Sequence, residues 1–263
     1  MNLALAQALE SAAVLGAIVR PLLVATLLVG LWCALTRAQL AVRRRVLTWS
    51  VVAAVLIVWL VTVWTLAARG VFTPAPNMPP VAQGGMIVAP IVLLVAAALT
   101  SLMRSEAIAA AIDAAPLWWL VTYQGYRVTG LIFVKLGADG FLPGFFALPA
   151  GIGDMLTGVL AMGAAIALWR KSPWAQTFAY GVNIFGVADL VNAITMALLS
   201  IVWSDAASPL LMYPLPIVPT FGVPLAFIVH ALSLWQLHRR ARASSDGNFL
   251  TRDLVFSAKS ERG

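Results

Sequence analysis

The sequence predicts an all-α integral membrane protein, a bundle of about seven transmembrane helices with the N-terminus outside and the C-terminus in the cytoplasm. Three observations predict this class: the composition, the length of the apolar runs and the positions of the basic residues. Of the 263 residues, 62% are hydrophobic and 10% are charged, whereas a soluble domain is about 45 to 50% apolar and about 25% charged. We therefore expect the lipid bilayer to be a partner of this chain.

Seven runs of about 20 apolar residues are long enough to cross a bilayer at a helical rise of about 1.5 Å per residue. They are Val14 to Leu35, Val46 to Ala67, Gly85 to Met103, Leu117 to Leu136, Phe145 to Trp169, Trp174 to Trp203 and Pro219 to His238. The fourth run has a polar centre, Tyr123 to Arg127, and is either a span or a re-entrant segment. The sequence thus predicts a transmembrane domain over residues 1–242 and a polar, flexible cytoplasmic tail over residues 243–263.

Basic residues orient the spans, because Lys and Arg concentrate on the cytoplasmic side of a membrane. One predicted side carries Arg37, Arg43, Arg44, Arg45, Arg104, Arg170, Lys171, Arg239, Arg240 and Arg242. The other side carries only Arg20, Arg69 and Lys135. These clusters lie at the ends of apolar runs and not on one soluble face, so the formal net charge of +7 predicts membrane anchoring and no nucleic-acid partner. On the basic side, Arg104 to Ala115 predicts a short interfacial helix.

We expect no metal and no cofactor. A single cysteine, Cys33, excludes an intrachain disulfide and a zinc site built on cysteine pairs. Retinal needs a lysine in the middle of a seventh helix, and Pro219 to His238 contains none. Haem needs axial histidines on facing helices, and His230 and His238 share one run.

Ionisable residues inside the predicted spans form the candidate site, because they are costly in a bilayer and by default indicate function. Arg127, Asp154 and Asp189 fall roughly 14 to 20 Å from the predicted outer ends at helical rise. Five further polar residues complete the predicted site for a ligand or a proton: Tyr123, Tyr126, Asn183, Asn192 and His230. Two carboxylates oppose one guanidinium, so we expect Arg127 to pair with Asp189 or Asp154 and the other acid to be the titrating group.

Helical spacing predicts which faces point inward. Tyr123, Arg127 and Gly130 recur at i, i+4 and i+7, and Asp154 shares a face with the small residues Gly151, Gly158 and Ala161. Small residues let helices approach closely in lipid, so these faces should meet neighbouring helices. The alternative for the charged set is helix packing alone. For His230 the packing alternative is a hydrogen bond to one neighbouring helix.

Two resemblances bear on function. The run from Gly151 to Asp154 resembles the GxGD signature of intramembrane aspartyl proteases and prepilin peptidases, in which two membrane aspartates share a proton and activate water. That resemblance implies Asp154 and Asp189 as a catalytic pair. A broader pattern, YRxxG at Tyr126, FAxPAGxGD at Phe146 and NxxGxxD at Asn183, resembles a group of uncharacterised bacterial multispan inner-membrane proteins. It implies a bacterial inner-membrane location and a shared polar site, without an activity.

The sequence therefore favours a membrane protein that binds or transports a small ligand or a proton at a midplane site, and no catalytic residue is assigned. One alternative is an intramembrane enzyme that uses Asp154 and Asp189 as an acid/base pair on a lipid or a peptide. Another is a structural subunit of a larger membrane complex, in which the charges only lock helices together. Oligomeric state and partner subunits are open at this stage.

Overall fold

The computed structural model describes residues 3–75, 77–203 and 209–260, with side chains described up to residue 242. These residues form helices, and none of them lies in a β-strand. The α-helices are α1 (Leu3–Arg37), α2 (Val42–Ala68), α3 (Pro80–Met103), α4 (Glu106–Ala114), α5 (Leu117–Tyr123), α6 (Leu131–Ala138), α7 (Gly144–Trp169), α8 (Ala175–Trp203) and α9 (Val223–Ser260). A 3-10 segment, Gln124–Gly130, joins α5 to α6, and a π segment, Val218–Gly222, precedes α9.

Among the described residues, six helical stretches are long and apolar enough to cross a membrane, which confirms the all-α class and the membrane-spanning composition. They are α1, α2, α3, α7, α8 and Val218–Arg242. Helices α2 and α3 leave large apolar side chains such as Val58 and Leu93 exposed, as expected of faces that contact acyl chains. Helix α9 continues into the predicted tail, residues 243–263, and the flexibility and location of that tail stay predictions.

The fourth predicted run is not one regular helix, because its polar centre forms the 3-10 segment. Side chains at i and i+3 eclipse one another in a 3-10 helix. Gln124, Arg127 and Gly130 therefore point the same way, and all three are buried. The predicted face assumed 3.6 residues per turn and placed Tyr123 in this row. That register is wrong, and Tyr123 is only half-buried.

Helix α7 packs on α8 and along the whole broken segment from α5 to α6. Its inward face carries the predicted small residues, and Gly151, Gly158 and Ala161 are buried. A Cβ atom on Gly158 would lie 2.8 Å from the backbone nitrogen of Val128, and one on Gly151 would lie 2.9 Å from the carbonyl oxygen of Gly130. The two backbones approach this closely only because side chains are absent.

Helix α1 begins at Leu3 and not at Val14, and its alanine-rich and leucine-rich first turns account for the extension. It contains Arg20 and Pro21 in its interior. At helical rise Arg20 lies roughly 25 Å from Arg37 at the end of the same helix. Arg20 thus lies in the half of α1 that is remote from the basic end at Arg37, and the side of the membrane that it faces stays a prediction.

Short helix α4 occupies the predicted interfacial stretch and is fixed to α9. Pro116 has no N–H to donate to the carbonyl of Ile112 four residues earlier. The side-chain amide of Gln236 on α9 donates to that carbonyl at 2.5 Å. Arg239 forms an ion pair with Asp113. Helix α4 thus closes the basic end of the bundle.

Candidate functional site

The structure brings Arg127, Asp154 and Asp189 into one buried ion network. The Arg127 side chain is 2% exposed. Its Nε donates to Oδ1 of Asp154 at 2.7 Å, and Nη2 lies 2.6 Å from the same oxygen. Nη2 also donates to Oδ2 of Asp189 at 2.5 Å. The expected pairing is confirmed, but the expectation of a single acid partner is wrong, because Arg127 contacts both.

The remaining nitrogen of Arg127 is engaged as well. Nη1 lies 3.2 Å from the carbonyl oxygen of Gly186 and 3.4 Å from Nε2 of His230. A guanidinium has five N–H donors and no acceptor. Each of the three nitrogens of Arg127 has at least one partner among Asp154, Asp189, Gly186 and His230. Arg127 therefore holds the two carboxylates in place, and none of its nitrogens is without a protein partner.

His230 is fully buried and extends the network to Asn183. The amide nitrogen of Asn183 donates to the carbonyl of Ala179 at 2.7 Å and to the hydroxyl of Ser233 at 3.1 Å. Its amide oxygen is therefore an acceptor, and it lies 2.9 Å from Nδ1 of His230. The imidazole consequently carries its proton on Nδ1 and accepts from Arg127 at Nε2. A neutral His230 joins α8 and α9 to the guanidinium.

The remaining predicted site residues lie outside the ion network. The hydroxyl of Tyr126 donates to the carbonyl of Gly222 at 3.2 Å, and that of Tyr123 donates to the carbonyl of Leu23 at 3.3 Å. Both tyrosines thus connect the broken segment to other helices. Asn192 is half-buried on α8, and none of the hydrogen bonds described above reaches it.

Two glycines leave the space that the network occupies. A Cβ on Gly153 would lie 1.7 Å from Oδ1 of Asp189. A Cβ on Gly186 would lie 2.4 Å from Cε1 of His230. Neither position can carry a larger side chain without displacing a buried polar group. The second glycine of the GxGD run thus has a steric role beside the carboxylates.

A cavity of about 100 Å³ lies beside the network, between α1, the 3-10 segment and the π segment. Its walls include Arg127, Asp154 and Arg20, and they are otherwise mainly apolar. The side chain of Asp154 is 21% exposed, whereas that of Asp189 is 6% exposed. Of the two carboxylates, Asp154 is the one that faces the cavity.

One residue that lines the cavity, Arg20, escaped the sequence analysis, and the signal for it was its position inside the apolar run Val14 to Leu35. Gln124, expected only as a polar group near the charged set, is 1% exposed, and its amide donates to the carbonyl of Ala226 at 3.2 Å. Its spacing of three residues from Arg127 puts it in the same row as Arg127 only in a 3-10 register.

Irregular backbone borders the cavity on two sides. Mid-helix 3-10 stretches and π segments are frequent at functional sites. The π segment is followed by Pro224, which has no N–H to donate to the carbonyl of Thr220. The indole Nε1 of Trp59 on α2 donates to that carbonyl at 3.1 Å. Side chains of neighbouring helices thus satisfy the backbone where the helix is irregular.

The contacts of Arg127 bear on the aspartyl-enzyme alternative. Two carboxylates that share one proton do so because no cation neutralises them. Here the guanidinium of Arg127 lies within 2.7 Å of oxygens of both Asp154 and Asp189. The arrangement is therefore that of an ion network and not of a proton-sharing pair.

In the part of the chain that the structure describes, the fold and the site define a class: a helical protein with six stretches able to cross a membrane and a buried network of one guanidinium and two carboxylates. The chain belongs to the family described as Domain of unknown function (DUF8737), whose model matches residues 81–238. The matched range contains Arg127, Asp154, Asp189, Asn183 and His230. Helices α1 and α2, including the Arg20 wall of the cavity, precede it. Comparisons with curated proteins and with solved structures found no match.

Proposed function

We propose that this chain is a multi-pass protein of the bacterial inner membrane that binds or transports a small ligand or a proton at the Arg127 network. One observation carries the proposal: a buried guanidinium, saturated by its partners, holds one carboxylate at the wall of a cavity. A network that only locked helices together would not need a carboxylate oxygen left open to that cavity. Ionisable groups at such depth by default mark ligand or proton pathways.

The proposed topology has seven crossings, with the broken segment from α5 to α6 as the fourth. In transporters, discontinuous helices at membrane depth line the substrate site, and irregular backbone is tolerated where it borders a cavity. The 3-10 segment meets both conditions, because it supplies Arg127 and lines the cavity. The loop charges favour an outside N-terminus and a cytoplasmic C-terminus.

The chemistry of the site divides between its two acids. Asp189 is buried against Arg127 and forms an ion pair with its guanidinium. Asp154 lines the cavity, and its second oxygen, Oδ2, is not the one that contacts Arg127, so Oδ2 is able to accept a proton or a donor group of a ligand. The structure favours this binding role over proton-sharing catalysis, since Arg127 contacts both acids.

Purified protein and proteoliposomes test this proposal. Melting temperatures are measured with a broad library of small metabolites, and proton flux is measured with an internal pH dye under an imposed pH gradient. We expect the parent chain to show ligand stabilisation or proton flux that Asp154→Asn loses. The control is Asp139→Asn, which removes an exposed carboxylate paired with Lys135 at 2.7 Å. Equal behaviour of the parent and Asp154→Asn in both assays would refute the proposal, and co-purifying subunits would then favour the structural role.

Cysteine labelling tests the orientation. In a chain with Cys33→Ala, the variants Asn77→Cys and Ser244→Cys are treated with a membrane-impermeant maleimide in intact cells. We expect labelling at position 77 alone, and labelling at position 244 after the membrane is opened. Labelling of Ser244→Cys in intact cells would reverse the orientation.

A further inference from the structure

Arg20 is the cation of the cavity that retains donors. Its side chain folds back over Gly16 on the same helix, where a Cβ would lie 1.9 Å from Nη1. The guanidinium carbon lies 5.6 Å from the centre of the Trp64 ring. Nη1 is buried, and no described residue accepts a hydrogen bond from it. Leaving a charged donor without an acceptor is costly, so the site calls for an acceptor that the described residues do not supply.

Asp154 offers the complementary group on another wall of the same cavity. Oδ1 accepts the hydrogen bond from Nε of Arg127 and lies 2.6 Å from Nη2 of the same residue. No described residue donates to Oδ2. The Asp154 side chain packs against Gly130, where a Cβ would lie 2.6 Å from Oδ2. Asp154, with one oxygen that accepts from no described residue, thus lines the same cavity as Arg20.

The charges around the cavity balance once Arg20 is counted. Arg20 and Arg127 carry two positive charges, and Asp154 and Asp189 carry two negative charges. The sequence-based count of one guanidinium against two acids omitted Arg20. Among the described residues there is no ion pair between Arg20 and Asp154. The cavity therefore separates one spare donor group from one spare acceptor group within a neutral set.

We propose that this cavity binds a small zwitterion, with the carboxylate of the ligand against Arg20 and its ammonium group against Oδ2 of Asp154. A simple anion would leave Asp154 without a donor, and a simple cation would leave Arg20 without an acceptor. The volume of about 100 Å³ is below the roughly 300 to 1,000 Å³ of pockets for drug-sized ligands, so the ligand is small. The mainly apolar walls strengthen both charged contacts. This inference rests on the proposed function, for which it names the ligand class.

Thermal stabilisation of the full-length chain in detergent tests the ligand class. The probes are glycine, L-alanine and β-alanine as zwitterions, propionate as the anion alone and ethylamine as the cation alone, all at matched ionic strength. We expect a zwitterion to raise the melting temperature in a saturable way. Propionate and ethylamine should each bind at least about tenfold more weakly, since each lacks one charge-assisted contact. Equal stabilisation by propionate alone overturns the zwitterion, as does the absence of any effect of the three zwitterions.

Four variants locate the site. Arg20→Gln and Asp154→Asn should each weaken zwitterion binding about tenfold or more. Gly16→Ala changes no charge but places a methyl group where the Arg20 guanidinium lies, so it should also weaken binding. Gly30→Ala on the same helix meets nothing within 4 Å and should bind as the parent does. Circular dichroism and gel filtration check that each variant folds. The proposal is overturned if both Gly16→Ala and Arg20→Gln fold and bind the zwitterion as the parent does.

Two further outcomes separate this inference from the proposed function. If the zwitterions fail while the metabolite library yields another ligand that Asp154→Asn loses, the ligand class is wrong and the proposed function stands. If the library and the proton assay also fail, both are wrong. Asp205 lies outside the described residues, and Asp205→Asn should leave zwitterion binding unchanged. Stronger zwitterion binding in that variant would show that Asp205 competes for the Arg20 guanidinium in the parent chain, which would assign Arg20 a protein partner and overturn the proposal.

Discussion

Replacing Arg127 with leucine tests whether the ion network holds the helices together. The substitution removes the donors that serve Asp154, Asp189, Gly186 and His230. It leaves one carboxylate that is 6% exposed and another that is 21% exposed without a cation. Breaking one partner of a buried ion pair costs about 3 to 5 kcal/mol. We expect Arg127→Leu to lose stability in that range, a large part of a typical total of about 5 to 15 kcal/mol.

The two acids should respond differently in a double-mutant cycle with Arg127→Leu. Asp189 is the more buried acid, so leaving it unpaired is the more costly, and Asp189→Asn should recover more of the loss. We expect a coupling free energy of about 0.5 to 3 kcal/mol for each acid, with the larger value for Asp189. Asp154 reaches the cavity and is partly hydrated, so Asp154→Asn should recover less.

Unfolding by sodium dodecyl sulfate in mixed micelles, followed by circular dichroism and tryptophan fluorescence, measures these free energies. The control is the exposed pair of Lys135 and Asp139, which has a similar length of 2.7 Å. Because that pair is solvated, Lys135→Gln with Asp139→Asn should change stability by about 1 kcal/mol or less. If Arg127→Leu were as stable as the parent and coupled to neither acid, the network would not hold the helices, and the proton-sharing pair would become the better hypothesis.

Two further substitutions test the backbone around the site. Gly153→Ala should destabilise the chain by about 1 to 3 kcal/mol through overpacking, because its Cβ would lie 1.7 Å from a buried carboxylate oxygen. The control, Gly181→Ala, meets nothing within 4 Å and should not be destabilising in the same unfolding assay. Equal effects of the two substitutions would mean that Gly153 has no steric role. Trp59→Phe should lower the free energy of unfolding by about 1 kcal/mol, because it removes the donor to the carbonyl of Thr220. Pro224→Ala should reduce that loss by restoring a backbone N–H. If the effects of the two substitutions on the free energy of unfolding were purely additive, the indole would not replace the missing donor.

The apolar runs and the charged trio were predictable from the sequence, because both depend on properties of single residues in lipid. A run of about 20 apolar residues is read directly as a span. Arg127, Asp154 and Asp189 stood out because each interrupts such a run, and the structure joins all three. The all-α class and the small-residue face of α7 followed from the same local rules.

Register and partner choice were not predictable in the same way. The 3-10 segment differs from an α-helix by a fraction of a residue per turn, and seven residues are too few for a sequence period to distinguish the two. Tyr123 was therefore placed in the row that Gln124 occupies. The contact of Arg127 with both acids depends on how α7 and α8 approach, which Gly153 and Gly186 permit but no single-residue rule specifies.

At this site the most buried charged group is the one least available to a ligand. The default rule for membrane spans assigns function to the most deeply buried charge, which here is Arg127. Its burial is tolerated because each of its nitrogens has a protein partner. Asp154 and Arg20 are both less buried than Arg127, and both line the cavity. In the proposed function Arg127 therefore fixes the geometry, and recognition of the ligand is assigned to Asp154 and Arg20.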